Sequence, residues 1–210
     1  MNILNQMGIQ QWSLRQESTQ NSDGLQSQPA EQYSLGWNEL HGLVESGAHC
    51  ECCKKYGGIL GSGDEAADFI FIVDAPNEKG FETQQLISGR EGVLFDAILQ
   101  SIGMSRENCY LSSVRKCLSK NNLKSSAGCG TLIHSQIELV NAKVALTFGE
   151  PAAQAILRSN DNLDSIRKND KQYSTGNMQI VNTYSLRQML DKPELKAQVW
   201  QDLKKCLTYL

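Results

Sequence analysis

Four cysteines carry the most specific chemistry in this sequence. Cys50 and Cys53 form a Cys-x-x-Cys pair, and Cys117 and Cys129 flank a later loop. That pair spacing lets two thiolates reach one metal centre, and four thiolates at one edge of a fold could hold an iron–sulfur cluster or zinc. The plainer alternative is that Cys117 and Cys129 are ordinary small residues. The chain has 7 cysteines, and its N-terminus lacks the cationic start of an export signal. A reducing, cytoplasmic setting is therefore expected, where grouped cysteines serve metal or redox chemistry rather than disulfides. Cys109 and Cys206 fall among apolar positions and read as core, while Cys52 is expected to point away from the pair. His49, beside the pair, reads as a solvated loop histidine, and His41 and His134 lie on helices without an evident partner. The other candidate group is Asp74, a carboxylate in the loop Asp74-Ala75-Pro76-Asn77.

That loop follows Phe69-Ile70-Phe71-Ile72-Val73, a β-branched and aromatic run of the kind buried on both faces in parallel sheets. Ligands of open α/β folds bind at the carboxyl ends of such strands. Further strands are expected at 110–114, 143–148 and 178–181. Helices are expected near 37–44, 89–102 (with Val93, Leu94, Ala97, Ile98 and Ile102 on one face), 132–140, 151–158 and 193–207, and residues 160–176 read as irregular. Strands and helices alternate, so the fold class is α/β: three layers, with a mostly parallel central sheet of about four strands flanked by helices.

Ahead of this body, residues 1–16 are apolar for a terminus, and residues 17–32 have the Ser/Gln-rich composition of a linker with a reach of roughly 20–24 Å. Three segments result: a docking peptide at 1–16, a flexible linker at 17–32 and an α/β domain at 33–210. The peptide would bind a partner through Leu4, Met7, Ile9, Trp12, Leu14 and Arg15. A net charge of −3 argues against a broad basic surface, so contact with DNA would be weak, local or indirect. No apolar run is long enough for a membrane span.

From Cys50 onward the sequence resembles the iron–sulfur (family 4) uracil-DNA glycosylases. The likeness runs through Cys50-x-x-Cys53, the Ala75-Pro76 loop, Gly89-x-x-Gly92-x-Leu94-x-Asp96, Tyr110-Leu-Ser-Ser-Val-Arg-Lys-Cys117, Cys129, Phe148-Gly149-x-x-Ala152, Thr183-Tyr184 and Lys192-Pro-Glu-Leu through Leu203. The resemblance implies a uracil-DNA-glycosylase-like fold and a [4Fe–4S] cluster, rather than zinc, on Cys50, Cys53, Cys117 and Cys129. It also implies a base pocket, and there the chain departs from the family. Asp74 keeps a carboxylate that could orient water. Asn77 stands where the family has glycine, Ile87 where its stacking Phe falls, Ser113 for the Asn that reads uracil, and Ser185 for the His that stabilises the departing base.

A second resemblance lies at the N-terminus. Leu4-x-x-Met7-Gly8-Ile9-x-x-Trp12-Ser13-Leu14-Arg15 is similar to the opening of the psi subunit of bacterial DNA polymerase III, and Lys192-Pro193 to Trp200 to its last helix. It implies docking to the clamp-loader ATPase subunits (tau/gamma), with the body binding the chi subunit and, through it, single-stranded-DNA-binding protein. Taken together, the expectation is a non-catalytic psi-type subunit on a body with a degenerate glycosylase pocket (Asp74, Asn77, Ile87, Ser113, Ser185). The alternatives are an iron–sulfur uracil-DNA glycosylase and a redox-sensing iron–sulfur protein.

Overall fold

The computed structural model describes residues 35–118, 127–168, 171–172 and 178–210. The docking peptide and linker expected at 1–32 lie outside them. The described body is built on a sheet in the order β1-β3-β2-β4-β6-β5. Its centre is parallel: β3 (Tyr110–Ser113), β2 (Phe69–Val73), β4 (Val144–Phe148) and β6 (Gln179–Thr183). Short antiparallel edges, β1 (Gly61–Gly63) and β5 (Lys171–Gln172), close the two sides.

Alternation along each strand divides the core between two faces. Phe69, Phe71 and Val73 join Leu146, Phe148 and Val181 on one face, under α4 (Gly89–Ser101), α8 (Leu186–Asp191) and α9 (Leu195–Leu207). Ile70, Ile72, Ala145 and Ile180 face α5 (Ala127–Val140) and α6 (Glu150–Leu157). Phe71 lies edge-on to Phe95 of α4, with ring centroids 5.3 Å apart. The three-layer α/β architecture therefore follows the sequence reading.

Two local expectations differ. The buried face of α4 is Gly92, Phe95, Ile98 and Leu99, whereas Val93 is 72% exposed. The bulk of Phe95 turns the helix toward the phenylalanine cluster. Residues 160–176 are not irregular throughout, since they contain α7 (Leu163–Lys168), which spends its only two apolar residues, Leu163 and Ile166, on the core. Arg167 of α7 forks onto Asp202 of α9 (2.8 and 3.1 Å) and reaches the Tyr184 hydroxyl (3.0 Å). This ties the loop after β6 to the last helix.

His134, on α5, has its pKa lowered from 6.5 to about 4, first by burial and then by Arg158. The unfolded chain thus binds the extra proton between those values. The stability His134 contributes is present above pH 6.5 and is lost as pH falls toward 4. His134→Gln should flatten that part of the stability-versus-pH curve, as measured by urea unfolding at several pH values.

Candidate functional site

The four cysteines come from three places in the chain. Cys50 is the N-cap of α2 (Glu51–Tyr56) and Cys53 lies within it, Cys117 follows β3, and Cys129 is in the first turn of α5. They form one buried cluster. The sulfurs of Cys50, Cys53 and Cys117 lie within 4.8 Å of one another, and those of Cys53 and Cys129 are 3.8 Å apart. Cys52 does not point away, as the sequence suggested, but packs part-buried against the cluster. Cys109 and Cys206 are buried core thiols, as expected, and burial pushes Cys109 up to about 11.

Cys117 and Cys53 donate to Cys129, which holds the Cys129 thiol well below its usual range, and donation to Cys129 raises Cys117 to about 12. Cys53 is raised likewise, chiefly by its bonds to Cys117 and Cys129. Several buried sulfurs cannot all ionise side by side without a cation, and a coordinated metal supplies that charge and deprotonates thiols outright. An all-sulfur, water-poor set of four donors fits a [4Fe–4S] cluster.

The lysine before Cys117 links this site to the sheet. Lys116 is fully buried. Its Nζ donates to the carbonyls of Leu60 (3.1 Å) and Ser113 (2.6 Å), to Ser112 Oγ (3.1 Å) and to Gln136 Oε1. Burial lowers its pKa to about 7, while the nearby sulfurs of Cys129 and Cys53 push it back up. Lys116→Met would take this donor from Ser113 O, while Leu60 O keeps Gln136 Nε2 and Gln136 Oε1 keeps Ser112 Oγ, a loss of about 2–3 kcal/mol in all. The melting temperature should fall by roughly 5–10 °C at about 2–4 °C per kcal/mol, which thermal denaturation followed by circular dichroism would measure.

At the carboxyl ends of β2 and β4 lies a groove of 660 Å³, with Asp74, Asn77, Ile87, Arg115, Phe148 and Ser185 among its lining. By sequence, Arg115, Lys116, Lys120 and Lys124 form a basic stretch that reads as a solvated loop. Arg115 instead grips Asp74 with two bonds, Nε to Oδ1 at 3.1 Å and Nη2 to Oδ2 at 2.5 Å, and a guanidinium fork of this kind fixes the orientation of both carboxylate oxygens. Lys120 and Lys124 lie outside the described residues.

Asn77 needs no glycine's freedom. Its φ is −78°, and it caps α3 (Glu78–Glu82) by accepting from Gly80 N at 2.7 Å. It also accepts from Ser88 N (3.2 Å) and donates to Ser88 O (2.9 Å), pinning the Asp74 loop to the start of α4. Ile87 is almost fully buried. Ser185 caps α8, accepting from Gln188 N and donating to Gln188 Oε1. Gly149, at φ +90°, allows the turn after β4 to approach Ser185, where a Cβ would meet Ser185 Cβ at 3.1 Å. Ser113 pairs with Val73 in the sheet, and strand alternation places it on the groove's side. Its hydroxyl is buried with no hydrogen-bond partner among the described residues. Arg115 and Phe148 were not singled out for the site by sequence. An Arg directly after the second core strand was the signal available for the first of them.

The pattern of the uracil DNA glycosylase superfamily matches residues 60–204, well over half of the chain. The chain belongs to the uracil-DNA glycosylase superfamily. Among its relatives, the type-4 uracil-DNA glycosylase of Thermotoga maritima is 25% identical over 159 residues, which is 72% of this chain and 82% of the relative. The type-4 enzyme of Archaeoglobus fulgidus is 27% identical over 180 residues, covering 79% and 90%. That of Sulfurisphaera tokodaii is 24% identical over 183 residues, covering 80% and 83%.

These findings overturn the expectation of a non-catalytic psi-type clamp-loader subunit. The relatives are glycosylases, matched across most of their length, and point to an enzyme. The psi likeness rested on about a dozen N-terminal residues outside the described ones and on the last helix. That helix, α9, belongs to the glycosylase-superfamily body: Val199 and Leu203 sit in the core beneath the sheet. The superfamily match and the cysteine cluster agree with the other resemblance, to iron–sulfur glycosylases. Among the described residues no helix is long and apolar enough to cross a membrane.

Proposed function

We propose that this chain is an iron–sulfur DNA glycosylase that hydrolyses the N-glycosidic bond of uracil in DNA, in the cytoplasm. The observation that carries this reading is the Asp74 carboxylate, held by Arg115 at the edge of a groove of 660 Å³, a volume suited to one extruded nucleotide. Water attacks the sugar C1′, the bond from C1′ to the base nitrogen breaks, its electron pair leaves with the base, and the proton that the water gives up ends on the departed base. Asp74 orients the water and faces the positive charge that develops on the sugar. Phe148 lines the groove and offers an aromatic edge to the base. Ser185 is engaged as a helix cap, so departure of the base depends more on Asp74 here than on a side-chain donor at that position. The cluster's part is structural: it clamps the Cys50 segment to the segments carrying Cys117 and Cys129.

The test is uracil release from single- and double-stranded oligonucleotides by the purified, iron-loaded chain, with a thymine-containing strand as control. Abasic sites formed only at uracil are expected. A loaded, folded chain that leaves uracil in both substrates would refute the proposal.

A further inference from the structure

His49 is not the solvated histidine that its loop position suggested. Its Nδ1 lies 2.9 Å from the Leu43 carbonyl, and since a carbonyl only accepts, Nδ1 carries the proton. In the neutral ring Nε2 then holds the lone pair. Nε2 is buried and has no hydrogen-bond partner among the described residues. His49 also offers a ring nitrogen within 4.8 Å of the sulfurs of Cys53 and Cys129. Metal-binding histidines are typically oriented in this way, with one nitrogen donating to a backbone carbonyl and the other turned to the metal.

We infer that His49 is a fifth protein donor at the metal centre, a reserve ligand beside Cys129 that takes an iron when the Cys129 thiolate is absent. The donors fall into two groups that share Cys53: Cys50, Cys53 and Cys117 in one, His49, Cys53 and Cys129 in the other. The imidazole therefore stands at the Cys129 corner. The local backbone fixes this placement. Gly47, at φ +65°, ends α1 (Trp37–Ser46) where a Cβ would sit 2.4 Å from Lys54 N, so α1 and α2 meet closely around the histidine. The exchange involves no electron transfer: an iron–sulfur bond to Cys129 is replaced by an iron–nitrogen bond to Nε2. Imidazole for thiolate raises the cluster's reduction potential.

The experiment begins with iron and sulfide content of the wild-type chain, so that absence of any cluster is recognised separately from failure of this inference. Cys129→Ala is then loaded with iron and sulfide without oxygen and compared with the double variant Cys129→Ala/His49→Ala. The single variant should keep most of its iron and, in the paramagnetic state, show nitrogen hyperfine coupling that changes when the histidine ring is labelled with nitrogen-15. The double variant should lose at least ten-fold in bound iron. A folded Cys129→Ala chain without iron, or with a cluster that shows no nitrogen coupling, overturns the inference.

Should Cys129→Ala fail to fold, the wild-type background decides. His49→Ala should lose cluster iron to a chelator several-fold faster than wild type, and His49→Cys should restore the slow loss. Cysteine replaces the metal donor but not the bond to Leu43, so a purely structural histidine would not be rescued. Equal loss rates, or no rescue by cysteine, overturn the inference.

Discussion

Asp74→Asn should lower the rate of uracil release by about 10²–10⁴-fold, the range for removing a positioned acid–base group. The substitution keeps the side chain's size and leaves Arg115 one oxygen to hold, but removes the negative charge that faces the reacting sugar. Stability should change little. The Asp74–Arg115 pair is 33% and 25% exposed at its two side chains, and partly exposed pairs contribute about 0–1 kcal/mol. Single-turnover rates and a thermal melt on the same preparation separate the two effects. An unchanged rate would remove Asp74 from the mechanism, and a collapsed melt would show that its role is structural.

Cys117→Ala should abolish the brown colour and the acid-labile sulfide, and lower the melting temperature by more than about 10 °C, at roughly 2–4 °C per kcal/mol. The cluster joins the N-cap of α2, the segment after β3 and the first turn of α5, so losing it frees three segments at once. Cys206→Ala is the control. That thiol is fully buried in the sheet's core, apart from the cluster, and its replacement should cost packing while leaving the colour intact. A Cys117→Ala chain as brown and as stable as wild type would sink the structural role given to the cluster.

The two middle strands, β2 and β4, could be read because each is a largely apolar run of five residues that all become buried. The edges could not: Gly61–Gly63 and Lys171–Gln172 join the sheet through backbone pairing and carry no side-chain pattern. The cysteine ligands were legible because four identical soft donors stand out in any sequence. His49 was not, since its role depends on the Leu43 carbonyl and on Cys129, which only folding brings near. Arg115 and Lys116 show the same limit. As neighbours in a charged stretch they looked alike, yet one turns to Asp74 and the other inward to a cage of oxygens. The non-catalytic reading gave decisive weight to replacements at Ile87, Ser113 and Ser185 and to a short N-terminal motif. A family pattern sustained over residues 60–204 outweighs both, because it covers the core, the groove's scaffold and two of the cysteines together.

The strand order has a consequence for the chain as it is made. β2 is the central strand, but Phe69 finds its partner Val144 only ~75 residues later. At a synthesis rate of about 5–20 residues per second, that is a wait of roughly 4–15 seconds. Until then Phe69-Ile70-Phe71-Ile72-Val73 leaves the ribosome with the edge that β4 covers still unpaired. During that interval the most apolar stretch of the nascent chain is available to any neighbouring strand, so crowded translation favours aggregation over folding and slower initiation favours the soluble protein.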